Sequence, residues 1–267
     1  LEVLSEKFDI ERDDQSKPYG YRWKERSAGL ALPYLSEQES LLLQLAQQQL
    51  SLLLPSAMMR SLNTFFEQAR SNLNTQSDAK LAKQWMSKVR VVSTTQPLLP
   101  PKIHPEVFDA ISNALYSNHW LEIVYQNASG ETKQSEIMPL GLAQQGTFLY
   151  LVARFKDYDN ERSLALHRFI SVKKLDRMFE RPPEFNLQKY DDSGRFGFGD
   201  GEYIKLTLKI KKAAGLHIVE APLAANQVVD EEGDCFKIIA TVVDTDILDK
   251  WLRGFGADIV EVHKQKV

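Results

Sequence analysis

The sequence of 267 residues predicts an α+β protein in three parts, and three observations carry that expectation. Leucines and aromatic residues between 36 and 73 recur at helical spacing with no strand pattern. Between 119 and 178, short runs alternate apolar and polar residues and are separated by Asn, Asp and Gly turns. From 203 to 262 the pattern runs strand, helix, strand, strand, helix, strand, a ferredoxin-like βαββαβ order.

The first 23 residues give a helix end and a hairpin. Leu1, Leu4 and Phe8 have helical spacing, 8–12 and 19–23 suit strands, and 13–18 suits the turn. The chain opens mid-pattern, which reads as the tail of an N-terminal domain. Arg12 and Lys17 are its candidate phosphate contacts, while Tyr21 and Trp23 suit hairpin packing or DNA. Ser36-Glu-Gln-Glu39 is a capping box that opens a helix over 36–54. Its leucines wrap more than one face, so two sides need cover. Pro55 stops it. A second helix covers 56–73, and Leu81, Trp85 and Val89 continue a third. The segment serves either as a dimerisation linker or as an intrachain bundle.

Pro97, Pro100 and Pro101 mark a linker. A short amphipathic helix over 105–118 follows, then strands over 120–125 and 131–139 joined by the turn Asn127-Ala-Ser-Gly130. The hairpin 146–170 comes next, and 171–175 ends the set. One helix followed by about five short strands suits a small closed barrel, which removes exposed edges. Residues 185–201, with Gly194, Gly197, Gly199 and Gly201, read as a second linker or flexible loop. The last part places strands at 204–210, 236–243 and 258–262 and helices at 213–219 and 246–253, with a further strand before the turn 231–234.

Composition excludes more than it selects. Hydrophobic residues make up 43% and charged residues 26%, with a formal charge of −3, so a bulk-basic nucleic-acid binder is not indicated. A single cysteine, Cys235, rules out an intrachain disulfide or a cysteine-rich zinc site and fits a reducing, cytoplasmic setting. No apolar run approaches transmembrane length, so no membrane partner is expected. The five histidines show no metal-ligand spacing, and no phosphate loop or Ser-His-Asp set is present. The expectation is no enzyme, no cofactor and no metal.

One cluster does select. Tyr150, Arg154, Arg162, His167 and Arg168 fall within 19 residues on or beside an otherwise apolar hairpin, and Tyr125 on an earlier strand is placed to join them. Arginine suits phosphate because its planar fork donates paired bonds and never loses charge, and tyrosine stacks on bases. The alternative is internal pairing, with Arg168 on Glu136 or Asp176 and Arg162 a solvated turn residue.

These residues resemble the WYL domain, an Sm-like (SH3-like) small β-barrel of bacterial transcription regulators. Leu149-Tyr150-Leu151 stands where the family has Trp-Tyr-Leu. Arg162 and His167-Arg168-Phe169-Ile170 resemble its closing segment, with Leu166-His167 replacing the usual residues before the last Arg. Trp251-Leu-Arg-Gly-Phe-Gly256 is similar to the C-terminal extension of such regulators.

The resemblance implies four regions. Residues 1–24 are a remnant of a winged helix-turn-helix (helix end and wing), and 25–95 a helical linker and dimerisation region. Residues 103–182 are the Sm-like barrel, and 202–267 the ferredoxin-like, WCX-like extension. It also implies a homodimeric, ligand-responsive transcription regulator that binds a DNA operator and senses single-stranded nucleic acid or a nucleotide through Tyr150, Arg162 and Arg168. Arg154 is less typical of the family. The rival readings are an RNA- or single-strand-binding module and a regulatory domain of a nucleic-acid enzyme.

Overall fold

A computed structural model describes residues 10–13, 20–23, 35–50, 56–75, 84–85, 88–89, 92 and 96–267. The chain falls into two compact units, Leu1–Asn113 with Gln144–Phe148, and Ala114–Ala143 with Leu149–Val267.

In the first unit, β1 (Ile10–Asp13) and β2 (Gly20–Trp23) form the expected hairpin, with Arg12 opposite Tyr21 in the ladder. Lys17 lies outside the described residues. Helix α1 (Glu37–Leu50) starts on the capping box. The Glu39 amide donates to Ser36 Oγ at 3.2 Å, and the Ser36 amide donates to Glu39 Oε2 at 2.8 Å. Two orphan donors are thereby satisfied reciprocally.

The single helix expected over 56–73 is two, α2 (Ser56–Ser61) and α3 (Asn63–Thr75). Leu62 is the break: its amide bonds Met59 O, three residues back, and its carbonyl receives the amides of Phe65 and Phe66. Ser61 and Asn63 flank it, and both favour backbone-competing geometry over helix interiors. Helix α3 buries Phe66, Ala69 and Leu73, and Leu41 of α1 packs against Leu73. Gln44 ties the pair by donating to Phe66 O at 2.9 Å. Leu42 and Leu45 remain 66% and 38% exposed, so the leucines do exceed one covered face. Of the third expected helix, the bond from the Val89 amide to Trp85 O is described.

Helix α4 (Pro105–Tyr116) has Pro at its first position, where a missing N–H costs nothing, and His104 O receives the amides of Val107 and Phe108. Asn118, at φ 51°, takes the left-handed conformation just past its end.

Five antiparallel strands follow: β3 (His119–Gln126), β4 (Thr132–Gln145), β5 (Phe148–Phe155), β6 (Glu161–Ala165) and β7 (Phe169–Met178). Strand β4 runs past Pro139, the end expected from the sequence, to Gln145. The sheet order is β6-β5-β4-β3-β7. The expected closed barrel is therefore not formed, since no ladder among the described residues joins β6 to β7. The sheet is nevertheless strongly bent. Consecutive strands β6 and β7 lie on opposite edges, linked by one 3-10 turn, Leu166–Arg168. Flat, those edges would stand roughly 19 Å apart. The link from Ala165 to Phe169 reaches at most roughly 14 Å, so the edges must converge there. Tyr125 shows the result: its hydroxyl on β3 accepts the Ala165 amide of β6 at 3.1 Å, across the two intervening strands.

Register fixes the faces. Leu121 opposes Ile137, Ile123 opposes Ser135, and Tyr125 opposes Lys133. Leu151 opposes Leu164, and Ala153 opposes Arg162. Leu121, Ile123, Ile137, Leu151 and Leu164 are buried, each worth about 1.5–3 kcal/mol of transfer free energy.

Residues 185–201 are built rather than loose. Asn186 caps α5 (Leu187–Asp192) by accepting the Lys189 amide at 3.0 Å, and a 3-10 turn spans Arg195–Gly197. The glycines are there for close approach: a Cβ at Gly199 would come 2.7 Å from Asp244 O, and one at Gly194 would come 2.6 Å from Thr245 Cγ2.

The last part runs β8 (Tyr203–Lys211), α6 (Lys212–Glu220), β9 (Val228–Glu232), β10 (Cys235–Val243), α7 (Asp246–Gly254) and β11 (Ile259–Lys266). Its antiparallel sheet has the order β11-β8-β10-β9. Leu206, Leu208 and Ile210 of β8 and Phe236 and Ile238 of β10 share one face and form a core with Ile218 of α6 and Leu252 of α7. Trp251 and Phe255 meet edge to face at 4.8 Å beside it. Cys235 is half-buried on the other parity of β10.

Candidate ligand-binding site

The bent sheet borders an open-sided cavity of about 310 Å³. Its floor is Ile123 and Tyr125 of β3 and Ser135 of β4, with Leu164 of β6 beside them. The β3–β4 turn contributes Asn127, Ala128 and Glu131, and Lys133 follows. Phe155, Arg162, Ser163 and Arg168 complete the lining.

Three of the six candidate residues meet here: Tyr125, Arg162 and Arg168. Tyr125 is held by its bond to the Ala165 amide and by Phe169, edge to face at 5.0 Å. The Arg162 guanidinium lies over two rings, Phe155 at 5.3 Å and Tyr158 at 5.2 Å. Stacking orients the fork without consuming its hydrogen-bond donors. Arg162 and Arg168 are both exposed, and neither forms an ion pair with a described residue. Neither Glu136 nor Asp176 pairs with Arg168. Glu136 instead accepts from Arg177 at 2.6 Å and pairs with Lys156 at 3.2 Å. Those two cations, Lys156 foremost, hold its carboxyl below the usual range.

The other three candidates do not line the cavity. The register sends Tyr150 and Arg154 to the opposite face of the hairpin, in line with Ala165 and Glu161. Arg154 is an internal pairing residue, bonded to Glu161 and, at 3.1 Å, to Glu184. The bond to Glu161 is the main cause that raises its guanidinium pKa further. The Tyr150 ring packs near Phe196 at 6.3 Å, in an aromatic group with Tyr190. Ser163 Oγ and Tyr190 Oη lie 3.0 Å apart. His167 is half-buried in the 3-10 turn. Burial first, then the charge of Arg168, holds its imidazole below the ordinary value. The side chain of Arg12 is outside what the structure describes.

Sequence reasoning missed Phe155, Tyr158, Lys133, Glu131 and Asn127. The signal was present in part, since 131, 133 and 135 share the parity that faces Tyr125 and Ile123. Of the rings under Arg162, Phe155 ends β5 and Tyr158 sits in the connection to β6.

Among the described residues, no group of His, Cys, Asp and Glu could hold a metal ion, and no helix is long and apolar enough to cross a membrane. The cavity can bind an anion through two guanidinium forks and stack a planar group on aromatic rings.

A search of curated proteins finds no match. Among solved structures, proteasome accessory factor B/C (PafBC) of Arthrobacter aurescens is similar, with 22% identity and a TM-score of 0.33, covering 97% of this chain and 37% of that one. A CRISPR Cas-related protein has 12% identity and a TM-score of 0.37, covering 59% of this chain and 46% of the other. The chain thus spans less than half the length of either. The profile of the WYL domain matches residues 106–174, the stretch from α4 into β7 that holds the cavity. Residues 106–174 are a WYL domain.

Proposed function

We propose that this chain is the ligand-responsive part of a DNA-binding transcription regulator, and that its WYL domain senses a nucleic-acid-derived or nucleotide anion. One observation carries the reading: Arg162 and Arg168 open on a single cavity beside Tyr125 and Phe155, with no described carboxylate on either guanidinium. A cavity that sets two available forks beside half-buried aromatic rings is poor for stability alone and good for a phosphate with a base attached.

The remaining parts fit the same reading. The β1–β2 hairpin serves as the wing of a winged helix-turn-helix. Helices α1 to α3 form the dimerising linker through Leu42 and Leu45. The βαββαβ unit, with its sheet order, is the ferredoxin-like C-terminal extension. Ligand bound more tightly in one dimer arrangement than in the other shifts the spacing of the DNA readers. The location is cytoplasmic and the role is not enzymatic.

The test is direct. The purified protein is extracted and the co-purifying material is measured by mass. A short single strand or nucleotide, depleted in Arg162→Ala and Arg168→Ala proteins, is expected. Retention of the same nucleic acid by both folded variants contradicts the reading.

A further inference from the structure

An anion site has no use for a carboxylate, yet Glu131 lines this one. It is not there by looseness. Asn127 Oδ1 accepts the amides of Ser129 and Glu131, both at 2.9 Å, and Gln126 Nε2 braces Gly130 O at 3.1 Å. The turn is cross-braced, and Asn127 Nδ2 donates to Glu131 Oε2 at 3.0 Å, which orients the carboxylate. The Asn127 amide donates to Glu131 O at 2.9 Å, which continues the ladder one pair beyond Gln126 and Thr132 and so sets Glu131 on the face of Lys133 and Tyr125. Two residues before Lys133, it stands roughly 7 Å further toward the tip of the hairpin. Glu131 makes no ion pair with a described residue, and its Oε1 accepts no hydrogen bond from one.

A carboxylate only accepts. Whatever meets Glu131 must therefore be a donor carried on the same ligand as the phosphate. Among nucleobases, the Watson–Crick edge of guanine offers two adjacent donors, N1–H and the 2-amino group, spaced for the two oxygens of one carboxylate. Adenine and cytosine each offer one amino group beside acceptors. Uracil and thymine place a single N–H between two carbonyls that the carboxylate repels. Reading an unpaired base on that edge while it stacks on aromatic rings is the usual mode for single strands. Tyr125 and Phe155 supply the rings. A volume of about 310 Å³ is near the lower bound for small-ligand sites and suits one nucleotide.

We propose that the ligand presents a guanine, and that Glu131 is its specificity-determining residue. The inference rests on the anion-binding reading above and adds the base to it. The phosphate lies on Arg162 and Arg168, the ring lies against Tyr125 and Phe155, and the guanine edge meets Glu131.

The experiment is calorimetric titration of the full chain with the 5′-monophosphates of guanosine, inosine, adenosine, cytidine and uridine. Guanosine monophosphate is expected to bind roughly tenfold or more tighter than the adenosine, cytidine and uridine forms. The inosine form, which lacks the 2-amino donor, falls between. Glu131→Gln, checked for an unchanged melting temperature, should abolish the guanine preference and favour adenine, because an amide side chain pairs one acceptor with one donor. Arg168→Ala should weaken all five alike. Equal affinities in the wild type, untouched by Glu131→Gln but lowered by Arg168→Ala, overturn the guanine inference and leave the anion site standing. Affinities that Arg168→Ala leaves unchanged, or no binding at all, overturn the anion reading and this inference with it.

Discussion

Arg154 and Arg162 lie eight positions apart and carry the same charge, yet they meet different surroundings. In sequence they belong to one basic cluster. In the fold, the ladder pairs Arg154 with Glu161 and Ala153 with Arg162, so the two guanidiniums leave the hairpin on opposite faces. Arg154→Ala is expected to lower stability by about 1–3 kcal/mol, since it strands Glu161 in a part-buried setting. It should leave ligand affinity unchanged. Urea denaturation and a binding isotherm on one protein check both halves. His167 supplies a second residue-scale prediction. Its imidazole is depressed by burial and then by Arg168, so the unfolded chain takes up the proton more readily than the native one. The stability contributed by neutral His167 is present above the ordinary imidazole value and is lost as pH falls from there through the folded value. Arg168→Ala removes one of the two causes, and an NMR titration should find the imidazole pKa raised; a fall would contradict the assignment. That Tyr125 joins Arg162 and Arg168 at one cavity was legible from its place on an earlier strand. Glu131 was not, because an acid at a turn looks like solvation until the register shows which face it shares.

At the scale of elements, most of the order was legible because local chemistry writes it. The capping box forms as its spacing demands, and the alternating runs become β3 to β7. What escaped were non-local facts. Nothing local says that β6 and β7 take opposite edges, which bends the sheet and leaves it open. Nothing local shows that Gly194 and Gly199 serve close packing on Thr245 and Asp244 rather than looseness. That distinction is testable. Gly199→Ala puts a Cβ within 2.7 Å of Asp244 O, and neither backbone can yield cheaply. It should destabilise the protein by about 1–3 kcal/mol. A flexible loop would accept alanine with no loss, or with a small gain in melting temperature.

At the scale of the whole molecule, the chain carries the β1–β2 hairpin, a helical segment, the WYL domain and a βαββαβ unit. Leu42 and Leu45 stand exposed on α1, where a second copy would cover them. Light scattering at micromolar concentration should give about twice the 30.5 kDa chain mass, and Leu42→Glu with Leu45→Glu should halve it. A monomer in the wild type would remove the dimerising role of α1. Binding of a nucleic-acid-derived anion to Arg162 and Arg168, as proposed, is decided by one paired measurement. Affinity for a short single strand and melting temperature are determined for the wild type, Arg162→Ala and Arg168→Ala. Each substitution removes charge-assisted bonds of roughly 1.5–3 kcal/mol, so a ten- to hundredfold loss of affinity is expected with little change in melting temperature. Lowered melting temperatures with unchanged affinity would contradict anion binding there and assign both arginines to the stability of the sheet.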